Sequence, residues 1–231
     1  MVDDSPRNGP WGLEAIVPAS GAVRLLLPPS DATHYGVVTT GTDNTLIDQA
    51  MPRYDVTIAE KIVVQADSDT TYRATRSLDL LRVHTPLLDA AMWVRQLPMK
   101  LTGRAAPPSS PVVVGDGLGI PGWLVLGERA GHEIVLGAVG RFWRPVIDWR
   151  TVDADEFAHF TEPGWGKIAA GFSMLPHGSS ETLLTYECRT ATTDPDSRRS
   201  FARYWWLVRP FVGHILRATL HQIKDDAEGV R

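Results

Sequence analysis

Apolar and polar side chains alternate from Tyr54 to Val64. Tyr54, Val56, Ile58, Ile62 and Val64 share one face, and Asp55, Thr57 and Lys61 the other. A period of two marks a strand buried on one side. Asp67 or Ser68 can cap a helix predicted over residues 69–78. A second helix is predicted over residues 86–96, and residues 102–122 read as a loop. Strands follow at Trp123–Glu128 and Glu133–Val139, joined at Ala130-Gly131. Asp153 caps a short helix that runs to Phe160. In the strand Lys167–Leu175, residues Ile168, Ala170, Phe172 and Met174 share a face. After a turn at residues 176–180, the run Glu181–Thr193 puts Leu184, Tyr186 and Cys188 on its apolar face, with Glu187 and Arg189 opposite.

The period then changes. Beyond Asp194-Pro195-Asp196, apolar residues recur in steps of three and four: Phe201, Tyr204, Trp205, Val208, Phe211, Val212, Ile215, Leu216, Leu220 and Ile223. That is one face of a long helix. The other face carries Arg198, Arg199, Arg203, Arg209, Arg217 and Lys224, with no acid from Ser197 to Lys224. Trp206 lies off the apolar face. Pro210 is expected to kink or break the helix near residues 206–209.

Strands that follow one another pair as antiparallel neighbours. The order predicts an α+β fold in which a curved antiparallel sheet wraps the final helix. Small and large residues mix on the faces read as inward (Gly137, Ala170, Phe172, Met174, Tyr186). That mixture predicts an enclosed or open-mouthed pocket of at least roughly a few hundred Å3 between sheet and helix. Residues 1–50 show no sustained period and read as a mostly unstructured extension, with a possible strand at residues 23–27. The domain is expected to span residues 51–231 and to fold without the extension.

Charge and cysteine content narrow the function. The net charge is −4, and residues 1–50 carry two basic and six acidic side chains, so the remaining body is neutral. A neutral body argues against a nucleic-acid partner. The single cysteine, Cys188, excludes an internal disulfide and fits a cytoplasmic protein. No apolar run reaches the ~20 residues that span a bilayer. No cofactor or metal motif is found. Gly117-x-Gly119-x-x-Gly122 is followed by Trp123 to Leu126, a strand where a dinucleotide fingerprint needs a helix. The histidines are scattered.

Four strings carry a resemblance: Pro52-Arg53-Tyr54-Asp55-Val56, Glu133 to Trp143 (EIVLGAVGRFW), Glu162-Pro163-Gly164, and Phe201-Ala202-Arg203-Tyr204-Trp205 with Arg209-Pro210. In these, and in its element order, the chain resembles the START-like, Bet v 1-like (SRPBCC) superfamily, more narrowly an uncharacterised actinobacterial group within it. The resemblance covers residues 52–228 and implies a helix-grip fold. Relatives bind sterols, lipids, hormones or polyketides, and some are cyclases or dehydratases, so it implies a binder of small hydrophobic molecules without fixing the chemistry.

The candidate ligand-binding residues are Glu60, Glu133, Phe172, Met174, Tyr186, Tyr204 and Trp205. Glu60 is in phase with the apolar face of its strand, where a carboxylate could act as a proton donor or meet a ligand. A bulge or a rim position would return it to solvent instead. Glu187 and Arg189 are expected to pair on a solvated face, the alternative being a polar cluster in the cavity that orients a ligand. The alternatives to ligand binding are a cyclase or dehydratase using Glu60 or Glu133, and a protein or membrane interaction module using the basic, Trp-bearing helix.

Overall fold

The computed structural model describes residues 45–79, 113–115 and 122–229. The predictions for residues 23–27, 86–96 and most of 102–122 lie outside them. The elements are α1 (Leu46–Ala50), β1 (Val56–Val64), α2 (Ser68–Ser77), β2 (Trp123–Arg129), β3 (Glu133–Gly140), β4 (Trp149–Arg150), α3 (Ala154–His159), β5 (Gly166–His177), β6 (Glu181–Thr192) and α4 (Pro195–Glu228). The strands form an antiparallel sheet in the order β1-β6-β5-β3-β2, with β4 paired to the end of β3. Helix α4 packs along β1, β6 and α2. This is the helix-grip α+β arrangement expected from the sequence.

Cross-strand register fixes what faces the helix. One row runs Ile134–Phe172–Tyr186–Glu60 through four strands, and the next runs Leu136–Ala170–Cys188–Ile58. Both rows lie on the inner face, toward α4. The alternate rows, such as Val135–Gly171–Glu187–Ala59, face the other way. Two cores result. Val64, Leu136, Phe172, Met174, Leu184, Leu220 and Ile223 fill the inner one. Ile47, Met51, Val135, Val139, Phe157 and Trp165 fill the outer one, under α1 and α3.

The outer helices end on cations of the sheet. Lys167 Nζ donates to the carbonyls of Phe157 and Ala158 at the end of α3. Arg189 Nη1 donates to the carbonyls of Ile47 and Met51 at the end of α1. Cations there add to the bonds of the last carbonyls and oppose the negative end of the helix dipole.

Several expectations change. Residues 46–50 are helical, with Ile47 and Met51 buried, so the ordered body begins before Met51. Strand β5 continues through Pro176 and His177, and the turn is confined to residues 178–180. Helix α4 is continuous through Pro210 rather than broken. The ring is exposed, and on the solvent side the loss of one backbone bond is tolerated. Gly137 faces outward, not inward: a Cβ there would sit 2.4 Å from Leu126 and 3.1 Å from Phe157.

Candidate functional site

The four strings singled out in the sequence converge at one end of the grip. Gly140 pairs with Gly166 at the end of the sheet. A Cβ at Gly140 would lie 2.9 Å from the Phe142 ring, and one at Gly166 would lie 3.2 Å from it, so the glycines make room for the aromatic turn. Trp143 meets Phe201 of α4 edge-on at 6.4 Å, and Phe201 stacks with Trp205 at 5.9 Å. Tyr204 is tilted against Phe201. On the other side, Phe142 meets Trp149, which meets Trp123. Arg141 Nε donates to the carbonyl of Gly164, and Gly164 N–H donates to Asp194, the N-cap of α4. The φ of Gly164 is +90°, in the left-handed region that favours glycine. Asp55 accepts from both Thr192 groups and pairs with Arg198 at 2.6 Å. These bonds fasten the start of α4 to an aromatic wall.

Six of the seven candidate residues lie between sheet and helix. Phe172 and Met174 are fully buried on the inner face. Tyr186 stacks on Phe172, with ring centroids 4.1 Å apart. Its hydroxyl has no hydrogen-bond partner among the described residues, and burial pushes its pKa up, with the neighbouring Cys188 adding to the shift. The phenol therefore stays neutral and able to donate. Tyr204 and Trp205 are half-buried on α4. Glu60 sits beside Tyr186 in unbroken register, so no bulge turns it away. It pairs with Arg217 of α4 at 3.1 Å, at a partly exposed seam.

Glu133 lies apart from the other six. It heads an outward row with Ser173 and accepts the backbone N–H of Leu46 at 2.7 Å. It serves the start of α1 as Arg189 serves its end. Glu187 and Arg189 do pair, at 2.6 Å, but not on a solvated face: the Arg189 side chain is only 8% exposed. Arg189 also contacts Asp48 at 2.7 Å and lies over the Tyr54 ring. Burial works against its charge, and hydrogen bonds and attraction from Glu187 and Asp48 more than offset that. Sequence reasoning missed this cluster because Asp48 is 141 positions from Arg189 and lies in a stretch without periodicity.

The expected pocket of a few hundred Å3 between sheet and helix is not enclosed by the described residues alone. A partly open cavity of about 50 Å3 lies under α1, lined by Thr45, Ile47, Glu133, Val135, Gly171, Phe172, Ser173 and Glu187. That is room for a few waters rather than for an organic ligand. Cys188 is buried among apolar neighbours, with its thiol pushed up to about 12 by burial and then by Glu187, so it is no nucleophile. Among the described residues no three acidic, histidine or cysteine side chains cluster to hold a metal.

No protein-family model matches the chain. No curated protein matches it either. Solved structures do align. A protein of Mesorhizobium loti is 10% identical, with 76% of this chain and 99% of that one covered and a TM-score of 0.35. The Zhui aromatase/cyclase of Streptomyces is 11% identical, with 75% and 93% covered and a TM-score of 0.28. Truncated norcoclaurine synthase of Thalictrum flavum is 8% identical, with 74% and 91% covered and a TM-score of 0.28. The helix-grip assignment rests on the chain's own strand order and final helix.

Proposed function

We propose that this chain binds a small hydrophobic molecule between the sheet and the first half of α4. The observation that supports this best is uneven filling of the inner face. At one end Val64, Met174, Leu184, Leu220 and Ile223 are buried to 1% exposure or less. Toward the other, Val56, Ile58, Ile168, Trp205, Val208, Val212 and Ile215 stay half-buried, although Phe201 is sealed beneath the aromatic wall. Apolar side chains that point inward and still meet solvent form surface that an apolar ligand would cover. Phe172 and Met174 would form the floor, and Trp205 and Tyr204 would supply flat contact area. The Tyr186 hydroxyl would donate the orienting hydrogen bond, with Glu60 and Arg217 at the rim. Glu133 has no part in this proposal, because it lies on the opposite face and holds α1.

No helix among the described residues is long and apolar enough to cross a membrane. A cytoplasmic location is part of the same proposal, since a lone buried thiol suits a reducing compartment.

Native mass spectrometry of protein purified from its own host tests the reading. The expected result is a mass increment lost on organic extraction and restored by adding back the extract, with weaker restoration in Trp205→Ala. Absence of an increment, together with no saturable uptake of an apolar fluorescent dye by the extracted protein, would sink it.

A further inference from the structure

The outward side of α4 carries a second feature, independent of the ligand proposal. At 3.6 residues per turn, Arg199, Arg203, Trp206, Leu207 and Pro210 fall within an arc of about 100° and a length of about 16 Å. All five are exposed, Trp206 by 78% and Leu207 by 62%. Trp206 and Leu207 adjoin, and they are among the few large apolar side chains left exposed in the described residues. Arg199 is held by Asp196. Arg203 and the flanking Arg209 have no acidic partner among the described residues. No acid occurs from Ser197 to Lys224.

We propose that this face docks on an anionic lipid surface. Charge selects an anionic partner. A headgroup layer moulds to the ridge of a helix and needs no complementary groove. Tryptophan and leucine enter the interfacial zone while arginines on the same face meet phosphates. A second copy of the chain is disfavoured, because the symmetric contact would set arginine against arginine. The half of the helix that would touch lipid is the half that borders the open end of the inner face, so docking would bring a membrane beside that end.

The test is flotation of the full chain with vesicles of phosphatidylcholine alone, or of phosphatidylcholine mixed with phosphatidylglycerol. Binding is expected only to the anionic vesicles and should fall as salt shortens the electrostatic range. Arg203→Glu should weaken it by more than about tenfold, since each basic residue near an anionic surface is worth about fivefold. Trp206→Ala should weaken it while leaving the unfolding midpoint unchanged. Lys61→Glu, the same charge change on an exposed outer-face position of β1, should leave it within about twofold. The proposal is overturned if the chain ignores anionic vesicles at low salt, or if Lys61→Glu weakens binding as much as Arg203→Glu. It is also overturned if Trp206→Ala converts an oligomer to a monomer, which would assign the face to a second copy. Binding to an acidic polypeptide but not to anionic vesicles would assign it to a protein partner.

Discussion

The two halves of α4 are tied to the sheet equally well and filled differently. At the C-terminal end, Lys224 Nζ donates to the carbonyl of Val63, and Glu228 accepts the N–H of Gln65. At the N-terminal end, Asp194 holds Gly164 and Arg198 pairs with Asp55. Yet Leu220 and Ile223 are sealed, while Trp205, Val208 and Val212 are not. Polar ties at the ends of a helix therefore do not set how tightly its middle packs. The helix is anchored like a beam, and what lies beneath one half is free to differ from what lies beneath the other.

Substitutions can break or sharpen this contrast. Ile223→Ala, at the sealed end, should cost about 2–5 kcal/mol in denaturant unfolding, from lost transfer energy and the cavity left behind. A loss under about 1 kcal/mol would mean that this end is not sealed. Arg189→Ala tests the outer face, which is held by charge. It should cost about 2–3 kcal/mol, below the range for a fully buried pair because Asp48 stays wet. Proteolysis should then reach residues 46–50 first, and an intact α1 in the variant would show that Arg189 does not hold it.

Trp205→Ala, at the open end, should cost about 1–2 kcal/mol, less than truncation of a fully packed ring. A loss as large as that of Ile223→Ala would erase the distinction between the halves. A pH melt reads the tie at the start of the open half. Asp194 is held well below the ordinary value of 3.8, first by Ser197 and then by the N–H groups of Gly164 and Asp196. A depressed carboxylate contributes stability above its unfolded pKa, and that contribution is lost as pH falls below about 3.8. Asp194→Asn should flatten the acid limb of the Tm profile and leave its neutral limb parallel to wild type. Trp206→Ala should change stability by less than about 0.5 kcal/mol, as for an ordinary exposed position.

How far the sequence was legible follows from where alternation or helical period speaks. Strands β1 and β6 have one apolar face each, so Tyr186, Ile58 and even Glu60 could be placed inward by counting. Helix α4 announced its buried stripe, the turn at Asp194-Pro195-Asp196 before it and the outward Trp206. Strand β3 was different. From Ile134 to Gly140 it is buried on both sides, so alternation is silent, and neither the outward Gly137 nor the role of Glu133 could be read. Helix α1 was invisible for another reason. Five residues have no period, and their order comes from Glu133 and Arg189, contacts made across most of the chain. The boundary of the body is therefore a tertiary fact, and a chain starting at Met51 would lack the cover that buries Arg189.

Pro210 stands within the loosely packed stretch of α4, between the half-buried Val208 and Val212. Without an amide hydrogen it leaves the carbonyl of Trp206 unbonded within the helix, so one turn of a rod about 51 Å long is a bond short. Bending there sacrifices nothing that bending elsewhere must break. With its start held by Asp194 and Arg198 and its end by Lys224 and Glu228, the rod is pinned at both ends, and Pro210 marks the turn where its backbone resists bending least.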